Sequence, residues 1–519
     1  MAAIVAALSL APAAGTAIFV HPRVRVGSAP RLTGGTLVQL RTPGGALSPA
    51  LRAVHARLVS AGLDVWRIRT GTRHTLAALR SEGLLAHAEP DQRFIPFHPL
   101  EASCPPPSSE WWIHDIGADQ VKPPGPGVPL TVIDTGLDLK HPEFSNRPHT
   151  IALNPQVVVT NDDIHGTAVS SVAAASGGIR LVGVYPQVVL QEWDFGAGAL
   201  SDILAGLDAA SKRGRGVINF SGGFLGYSAL LEQGIDQALA RGAIVVAAVG
   251  NDRQNGSHAF VPATLPHVLT VGANDQSDHF ADFSNRSSAL DLVAPGVSIP
   301  VAVPTFYDPS GYCSFDGTSF STPLVAGAAA WVWTQRPTLD PTQLEDVLRD
   351  SARPVGTAGW NADTGFGILS LPKALTQAPR PRDPQEPNDD INLVRPGFVT
   401  ASGTHLSTPA SLSATMDAVK DPEDVYRVWV PAHARITART RSTHDVDLAL
   451  WGAKARSVYE RGRALRRDLL SFSQRPGSWP ERVTARNKTG RGAYYFVDAF
   501  LGRRVSHASY ALTVSVARR

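Results

Sequence analysis

The chain has 519 residues, of which 43% are hydrophobic and 18% are charged, and its formal net charge is +3. This composition is ordinary for a folded protein and excludes wholesale disorder, while the length allows three or four domains of about 150 residues each. The small net charge and the lack of a dense Lys/Arg block exclude an obvious nucleic-acid binder.

The first twenty residues are small and apolar, with Ala-Pro-Ala and Gly-Thr-Ala as candidate cleavage sites. Residues 1–20 therefore predict a secretory leader, although the positively charged start of such leaders is missing, which leaves room for a start upstream. No later apolar run reaches the roughly 18 residues needed to cross a bilayer, so we expect no membrane span.

The next segment alternates strand-like runs such as GTLVQLR with amphipathic helical runs such as SPALRAVHARLVSAGL. This pattern predicts a small α+β unit over residues 25–103, which is too small to be the main catalytic body. The stretch Cys-Pro-Pro-Pro at 104–107 marks a domain boundary.

The central segment alternates buried, β-branched runs such as LTVID and AIVVAAV with helical runs such as SDILAGLDAASKR. Such continuous apolar strands predict a doubly wound α/β domain, mostly parallel, over residues 108–377. Residues 378–390 are rich in Pro and charge and indicate a linker. The short alternating strands of residues 391–519 predict an antiparallel β-sandwich.

Three polar residues of the α/β domain lie where strands end or helices begin: Asp134, His165 and Ser319. Each has an ordinary alternative, respectively a turn aspartate, a helix-start histidine and an N-cap serine. A serine nucleophile, however, needs a base, and the base needs a carboxylate to orient it. Their joint occurrence at sites where such sheets bind ligands predicts a catalytic triad, with Ser319 Oγ exposed at a helix N-terminus.

A fourth polar residue, Asn251, follows the buried strand AIVVAAV. Its amide could donate a hydrogen bond to a developing oxyanion, and a turn-forming asparagine is the alternative.

Four segments together, VIDTGLDLKHPEF, HGTAV, VVAAVGND and GTSFSTPLVAG, resemble the signature blocks of the subtilisin-like serine proteases. The resemblance covers about residues 108–377. It implies a subtilisin-like fold, a triad of Asp134, His165 and Ser319, and an oxyanion hole made by Asn251 and the Ser319 N–H. The chain is then expected to be a secreted bacterial endopeptidase that acts on polypeptides through an acyl-enzyme.

The resemblance also implies where a peptide would bind. An extended substrate would bind as an added strand between two segments of small residues. The alternative interpretation is that these two segments are only flexible glycine turns. These segments are Gly196, Ala197 and Gly198 on one side, and Ser221, Gly222 and Gly223 on the other. Phe260 aligns with the base of the primary specificity pocket, where its ring would favour small residues. A Phe packed into the core is the other interpretation.

The turn AAASGGIRLVG after the histidine helix lacks the oxygen ligands of the family's tight calcium site, so we expect no calcium there. No cofactor is expected to be required. Calcium for stability stays open, with no site identified from the sequence.

The flanking segments also resemble known companions of this enzyme class. Residues 25–103 resemble the subtilisin propeptide, an intramolecular inhibitor cleaved during maturation, and a structural subdomain is the alternative. Residues 391–519 resemble the bacterial pre-peptidase C-terminal domain, in which Asp445 and Asp447 are candidate ligands but are more simply solvated charges at a strand edge.

The two cysteines, Cys104 and Cys313, form either one disulfide or two buried free thiols. If they are bonded and the chain is cut after Cys104, the propeptide would stay attached until reduction.

Two other functions stay open. A transpeptidase or cyclase would use the same residues with an amine replacing water, and a catalytically silent adhesion protein would rely on the sandwich. In the enzyme interpretation we expect a monomer that is processed from a zymogen.

Overall fold

The structure is a computed structural model that describes residues 32–41, 48–96, 102–104, 110–176, 179–355, 359–397, 402–502 and 505–518. The predicted leader, residues 1–20, and the start of the predicted 25–103 unit lie outside these ranges. Within them, no helix is both long enough and apolar enough to cross a membrane.

The N-terminal unit is a four-stranded antiparallel sheet with two short helices, and its strands run in the order β2-β3-β1-β4. Its elements are β1 (Leu32–Leu40), α1 (Pro49–Ala53), β2 (Arg57–Ser60), β3 (Val65–Ile68), α2 (Thr72–Ser81) and β4 (Leu85–Gln92). Two short strands follow on the way to the central domain, β5 (Ile95–Pro96) and β6 (Ala102–Ser103).

The central domain alternates strands and helices along the chain. Its first half contains α3 (Trp111–Asp115), β7 (Leu130–Asp134), α4 (Pro142–Ser145), β8 (Thr150–Ala152), α5 (Ile164–Ala174), β9 (Leu190–Asp194), α6 (Leu200–Ser211), β10 (Gly216–Phe220), β11 (Gly222–Leu225) and α7 (Ala229–Ala240). Its second half contains β12 (Ala243–Ala248), β13 (Phe260–Val261), β14 (Val268–Asn274), β15 (Leu292–Pro295), β16 (Ile299–Ala302), β17 (Tyr312–Phe315), α8 (Thr318–Gln335), α9 (Pro341–Asp350) and α10 (Leu371–Thr376).

Seven of the described strands form one parallel sheet in the order β15-β14-β12-β10-β7-β9-β8. The central strands are buried along their whole length, as a sheet covered on both faces requires. Since parallel strands end at the same edge, residues that follow β7, β10 and β12 are brought side by side. The predicted parallel α/β domain is therefore confirmed.

Helix α8 is buried from Thr318 to Trp333. A helix that is apolar on all sides belongs in a protein interior, and the Ala-rich run lets neighbouring elements pack closely around it. Its N-terminus lies at the edge of the sheet where the strands end, because Ser319 exchanges hydrogen bonds with Ser221, which follows β10.

The C-terminal domain consists of two four-stranded antiparallel sheets, ordered β18-β25-β20-β23 and β19-β24-β21-β22, as predicted for a sandwich. Its elements are α11 (Ile391–Val394), β18 (Ala410–Asp417), β19 (Glu423–Val430), β20 (Arg435–Ser442), β21 (Val446–Trp451), α12 (Gly462–Asp468), β22 (Leu469–Ser473), β23 (Arg482–Arg486), β24 (Ala493–Leu501) and β25 (His507–Ala517). The inner faces of the two sheets share one apolar core.

The expectation that Asp445 and Asp447 are solvated edge charges is wrong for Asp447. Strand β21 pairs on both sides, with β22 and β24, so Asp447 is only 7% exposed. Burial, together with repulsion from Asp445 and Glu481, raises the pKa of Asp447 to about 7.

Cys104 and Cys313 form a disulfide, which settles the choice between a bond and two free thiols. The bond joins the residue after β6 to a residue of β17, and the two strands pair antiparallel with Ser103 opposite Ser314. Cys313 lies six residues before Ser319, so the bridge holds the start of the central domain close to the N-terminus of α8.

Candidate active site

Asp134 and His165 are in direct contact. Strand β7 ends at Asp134, whose Oδ1 accepts a hydrogen bond from His165 Nδ1 at 2.8 Å and another from the Thr135 N–H at 2.8 Å. Both side chains are buried. Thr135 also connects the strand end to the start of α5, because its hydroxyl accepts from the Gly166 N–H at 2.9 Å. The imidazole therefore projects from α5 in a fixed direction.

This contact determines the histidine tautomer. A carboxylate oxygen can only accept, so the proton of the neutral imidazole lies on Nδ1 and the lone pair lies on Nε2. His165 Nε2 is buried and receives no hydrogen bond from the described residues. A buried, unpartnered imidazole nitrogen is a group able to take a proton from a neighbouring hydroxyl.

Ser319 is the second residue of α8 and is fully buried, contrary to the expectation that its hydroxyl is exposed. The reason is that α8 lies inside the domain and that Ser221, just before β11, covers its first turn. Ser319 Oγ donates to the Ser221 carbonyl at 3.1 Å, and Ser221 Oγ donates to the Ser319 carbonyl at 2.9 Å.

The histidine ring lies beside this turn, with its centroid 6.1 Å from the ring of Phe320. The structure thus brings Asp134, His165 and Ser319 to one place. In this arrangement the serine hydroxyl points to Ser221, and a rotation about its Cα–Cβ bond redirects it. Catalytic hydrogen bonds are often loose before substrate binds.

Asn251 follows β12, and its amide orientation is fixed by Thr318. Asn251 Oδ1 accepts from the Thr318 N–H at 2.9 Å and from its hydroxyl at 2.7 Å. Because a backbone N–H can only donate, the oxygen must face Thr318 and the amide nitrogen must face the other way. Nδ2 is buried and makes no hydrogen bond to the described part of the chain. This amide N–H group therefore lies beside Ser319 and is available to donate a hydrogen bond.

The cleft next to Ser319 is bordered by the two predicted small-residue segments, and residues 93–96 of the chain lie between them. Strand β5 pairs antiparallel with β11, with Ile95 opposite Gly223 and Pro96 opposite Gly222. On the other side, the Phe94 N–H donates to the Gly198 carbonyl at 2.5 Å.

Gly198 must be a glycine. Its φ is +70°, and a Cβ there would lie 2.7 Å from the Phe94 carbonyl oxygen. Gly196 and Ala197 form the turn that leads to it, and the Gly196 N–H donates to Asp194 Oδ1 at 2.6 Å. Burial raises the pKa of this aspartate.

The side chain of Phe94 occupies an aromatic pocket that was not predicted from the sequence. Its ring centroid lies 5.3 Å from that of Phe195, 6.0 Å from Phe220 and 6.2 Å from Phe224. These walls come from the ends of β9 and β10 and from β11. The available signal was a phenylalanine at the end of β10 and another directly after β9, the two strands that flank β7 in the sheet.

Phe260 lies in β13, which pairs with β11 through Leu225. Its ring contacts Gly250, where a Cβ would lie 2.8 Å from a ring carbon. The side chain is half-buried, and it stands between β11 and the residue that precedes Asn251.

One buried carboxyl lies beneath the site. Burial raises the pKa of Glu192 well above its usual value, and the nearby Asp134 charge raises it further. The Ser170 hydroxyl donates to Glu192 at 2.7 Å.

The turn after α5, where no calcium is expected, is held by Glu143. Its Oε1 accepts from the N–H groups of Arg180 and Leu181, both at 2.9 Å. The expectation about calcium stays a prediction.

Comparison with known proteins agrees with this geometry. The profile of the Subtilase family matches residues 125–367. Subtilisin BL of Lederbergia lenta is 37% identical over 255 residues, which cover 48% of this chain and 91% of that protein. Alkaline elastase YaB of Bacillus sp. (strain YaB) is 36% identical over 255 residues, which cover 48% of this chain and 65% of that protein.

Among solved structures, fervidolysin from Fervidobacterium pennivorans, a keratinolytic enzyme related to subtilisin, aligns over 92% of this chain and 95% of its own. The TM-score is 0.58 at 19% identity. The epidermin leader peptide processing serine protease of Staphylococcus aureus aligns over 67% of this chain and 99% of its own, with a TM-score of 0.53 at 22% identity. At such identities these structures show a shared fold.

Proposed function

This chain belongs to the subtilase family of serine peptidases, and from that premise we propose that it is a secreted endopeptidase that cuts extended polypeptides and processes its own precursor. The observation that carries the proposal is the segment 93–96, which lies in the cleft as an added strand between Gly198 and Gly222–Gly223. Backbone pairing of this kind accepts many sequences, because the hydrogen bonds come from the main chain.

In the proposed reaction, the Ser319 hydroxyl turns from the Ser221 carbonyl to His165 Nε2 and attacks the carbonyl carbon of the substrate. His165 takes the proton, and Asp134 stabilises the imidazolium that results. The oxyanion accepts hydrogen bonds from Asn251 Nδ2 and the Ser319 N–H at the start of α8. Collapse of this intermediate releases the amine, which takes the proton from His165, and water then hydrolyses the acyl-enzyme by the same steps.

We propose that the N-terminal unit is the inhibitory propeptide. Two carboxylates at the end of its sheet cap helices of the central domain: Asp91 accepts from the Ser201 N–H at 3.0 Å near the start of α6, and Glu89 accepts from the Ala229 N–H at 3.1 Å at the start of α7. Negative charge at a helix N-terminus is stabilising. The unit is thereby docked so that its last strand leads into the cleft.

The proposed processing bond lies within residues 97–101. Residues 93–96 occupy the cleft, and β6 pairs with β17 of the central domain from Ala102 onward. A cut between these two anchors separates the unit from the enzyme without breaking either pairing.

For specificity, we propose that Phe260 narrows the primary pocket and favours small side chains before the scissile bond. The support is its half-buried ring beside Gly250. A peptide library would decide this, since Phe260→Ala should widen the preference toward large residues. An unchanged preference would place the ring outside the pocket.

The proposed function is tested by expressing the full chain and its Ser319→Ala variant. The wild type should hydrolyse casein and appear as a shortened enzyme whose N-terminal residue is one of residues 98 to 101. The variant should stay at full length and be inactive. Casein hydrolysis by the variant, or an uncleaved and inactive wild type, would contradict the proposal.

A further inference from the structure

The C-terminal domain carries a strong excess of positive charge. Residues 391–519 contain 21 Lys and Arg residues but only 10 Asp and Glu residues, a net charge of +11, whereas the whole chain has a net charge of +3. Six of the ten acidic residues are buried, and none of the ten is exposed. The charged surface of the sandwich is therefore dominated by Lys and Arg, a property that the net charge of the whole chain hides.

Five arginines share the outer face of the sheet β18-β25-β20-β23. Successive side chains of a strand point to opposite faces, and Ile436, Ala438 and Val483 point into the apolar core between the two sheets. The arginines that alternate with them are exposed and point to the other face. We call the following five residues the arginine face: Arg435, Arg439 and Arg441 of β20, and Arg482 and Arg486 of β23.

The strand register places these positive charges directly opposite one another. Arg435 lies opposite Arg486, and Arg439 lies opposite Arg482. Like charges in directly opposed positions of an antiparallel pair destabilise a sheet. The outward positions of β20, β23 and β25 contain no Asp or Glu that could compensate. An anion from outside the chain would relieve this repulsion.

Protection of an exposed sheet edge explains only part of this pattern. Strand β23 is the edge strand of its sheet, and charged side chains on an edge discourage pairing with another chain. That role accounts for Arg482 and Arg486. It does not account for the three arginines of β20, which pairs with β25 on one side and with β23 on the other. Outward arginines on an inner strand point instead to a ligand.

The spacing of the charges fits a chain-like anion. The arginines of β20 extend over about 20 Å of strand, and opposed side chains on β20 and β23 begin about 5 Å apart. A small anion would contact one opposed pair and leave the other charges uncompensated. A linear polyanion laid along β20 contacts all five arginines.

The neighbouring hydroxyl groups indicate the class of polymer. Thr437 and Thr484 lie opposite each other between the two arginine pairs, with their hydroxyl oxygens 3.2 Å apart, and Thr513 of β25 lies opposite Arg439. Hydroxyl groups can pair with the hydroxyls of a sugar. The planar guanidinium group binds a carboxylate through two parallel hydrogen bonds. A polysaccharide with carboxylate groups offers both partners.

Other polyanions fit this face less well. The outward positions of β20, β23 and β25 contain no Phe, Tyr or Trp on which the bases of a single-stranded nucleic acid could stack. They also contain no large apolar side chain that could enter a membrane surface. The composition of the face therefore favours a carbohydrate.

We propose that the arginine face binds a polyuronate, a polysaccharide that carries one carboxylate per sugar. The polymer lies along β20 and places its carboxylates on the arginines of β20 and β23. None of these residues belongs to the cleft around Ser319, so polyuronate binding takes no part in peptide-bond hydrolysis and does not depend on the proposed function.

The test measures binding of immobilised alginate, a polyuronate, to the full chain carrying Ser319→Ala, which removes self-digestion. Binding is followed by biolayer interferometry in calcium-free buffer over a series of NaCl concentrations. Arg439→Gln/Arg482→Gln removes one opposed pair from the arginine face. The matched control, Arg463→Gln/Arg466→Gln, removes two exposed arginines from α12 and changes the net charge equally.

The parent and the control should bind alginate with similar Kd. The Kd of Arg439→Gln/Arg482→Gln should be about tenfold higher, because two surface ion pairs are lost. Salt should weaken binding more steeply in the parent than in this variant, since each charge contact releases counterions. Neutral dextran should not compete. Without alginate, the Tm of the variant should equal or exceed that of the parent, because an opposed pair of like charges is gone.

Three results would overturn the proposal. Alginate that does not bind the parent at low salt, or that binds the arginine-face variant and the control equally, would show that this face is not the site. A variant that melts well below the parent would show that these arginines serve the fold. Tighter binding to single-stranded DNA or to phosphatidylglycerol vesicles than to alginate, lost in the variant, would assign the face to a nucleic acid or a membrane instead.

Discussion

His165 donates its Nδ1 hydrogen to Asp134 Oδ1 across 2.8 Å, and both groups are buried. A charge placed in this way stabilises the imidazolium that forms when the histidine takes a proton, and the contact holds the other ring nitrogen toward the serine helix. Through this pair, a carboxylate at the end of strand β7 orients the base that acts on Ser319 at the start of α8.

The first prediction concerns that charge. Asp134→Asn can still accept both hydrogen bonds through its oxygen, so the fold should be kept, but the neutral amide cannot stabilise the imidazolium. We expect kcat on a chromogenic peptide to fall about 10⁴-fold, the size found when a triad aspartate becomes asparagine.

The control is Glu192→Gln, on the neighbouring strand. Burial raises the pKa of Glu192, so a neutral isostere should leave kcat nearly unchanged. A kcat of Asp134→Asn within tenfold of the wild type would mean that Asp134 has no catalytic part.

The second prediction separates the two ends of the Asn251 amide. Asn251→Asp keeps the acceptor for Thr318 but loses the N–H donor, and Asn251→Ala loses both. Both variants should lower kcat by about 100- to 1000-fold, the size found when the corresponding donor is removed from subtilisin, with little change in KM.

The two variants should differ in stability. Only Asn251→Ala leaves the Thr318 N–H without its acceptor, so its urea midpoint should fall further. A donor-free Asn251→Asp enzyme with normal kcat would exclude the proposed oxyanion contact.

The third prediction concerns the aromatic pocket around Phe94. Phe94→Ala removes a buried ring from contact with three phenylalanines, so inhibition of the enzyme by its own N-terminal unit should weaken by about 30- to 1000-fold. Leu58→Ala is the control, because Leu58 is 45% exposed in the same unit. Equal inhibition constants for Phe94→Ala and wild type would show that the pocket contributes nothing to docking.

The triad and Asn251 could be predicted from the sequence because each lies in a short block at a strand end or a helix start. The Phe94 pocket could not, since its members lie far apart in sequence and meet only through tertiary packing. For the same reason the environments of Ser319 and Asp447 were wrongly predicted. The local sequence pattern does not reveal that Ser221 covers Ser319, nor that β21, the strand of Asp447, is paired on both sides.

The fourth prediction concerns the disulfide. A cut within 97–101 leaves both Cys104 and Cys313 on the mature enzyme, so the N-terminal unit should separate on a non-reducing gel. Reduction should then lower the Tm of the mature enzyme. The disulfide closes a loop with a sequence separation of 209 residues, and the lost chain entropy raises the free energy of the unfolded state by about 5 kcal/mol. Cys313→Ser should melt like the reduced enzyme. An N-terminal unit that leaves only after reduction would place the cut after Cys104.

The central claim is that Ser319 is an activated nucleophile, and covalent labelling tests it most directly. A fluorophosphonate should attach to the mature enzyme with one label per molecule, located at Ser319 by peptide mass spectrometry, and labelling should be abolished in Ser319→Ala and strongly reduced in His165→Ala. A folded, processed wild-type enzyme that takes no label, or a label located at another serine, would contradict the account.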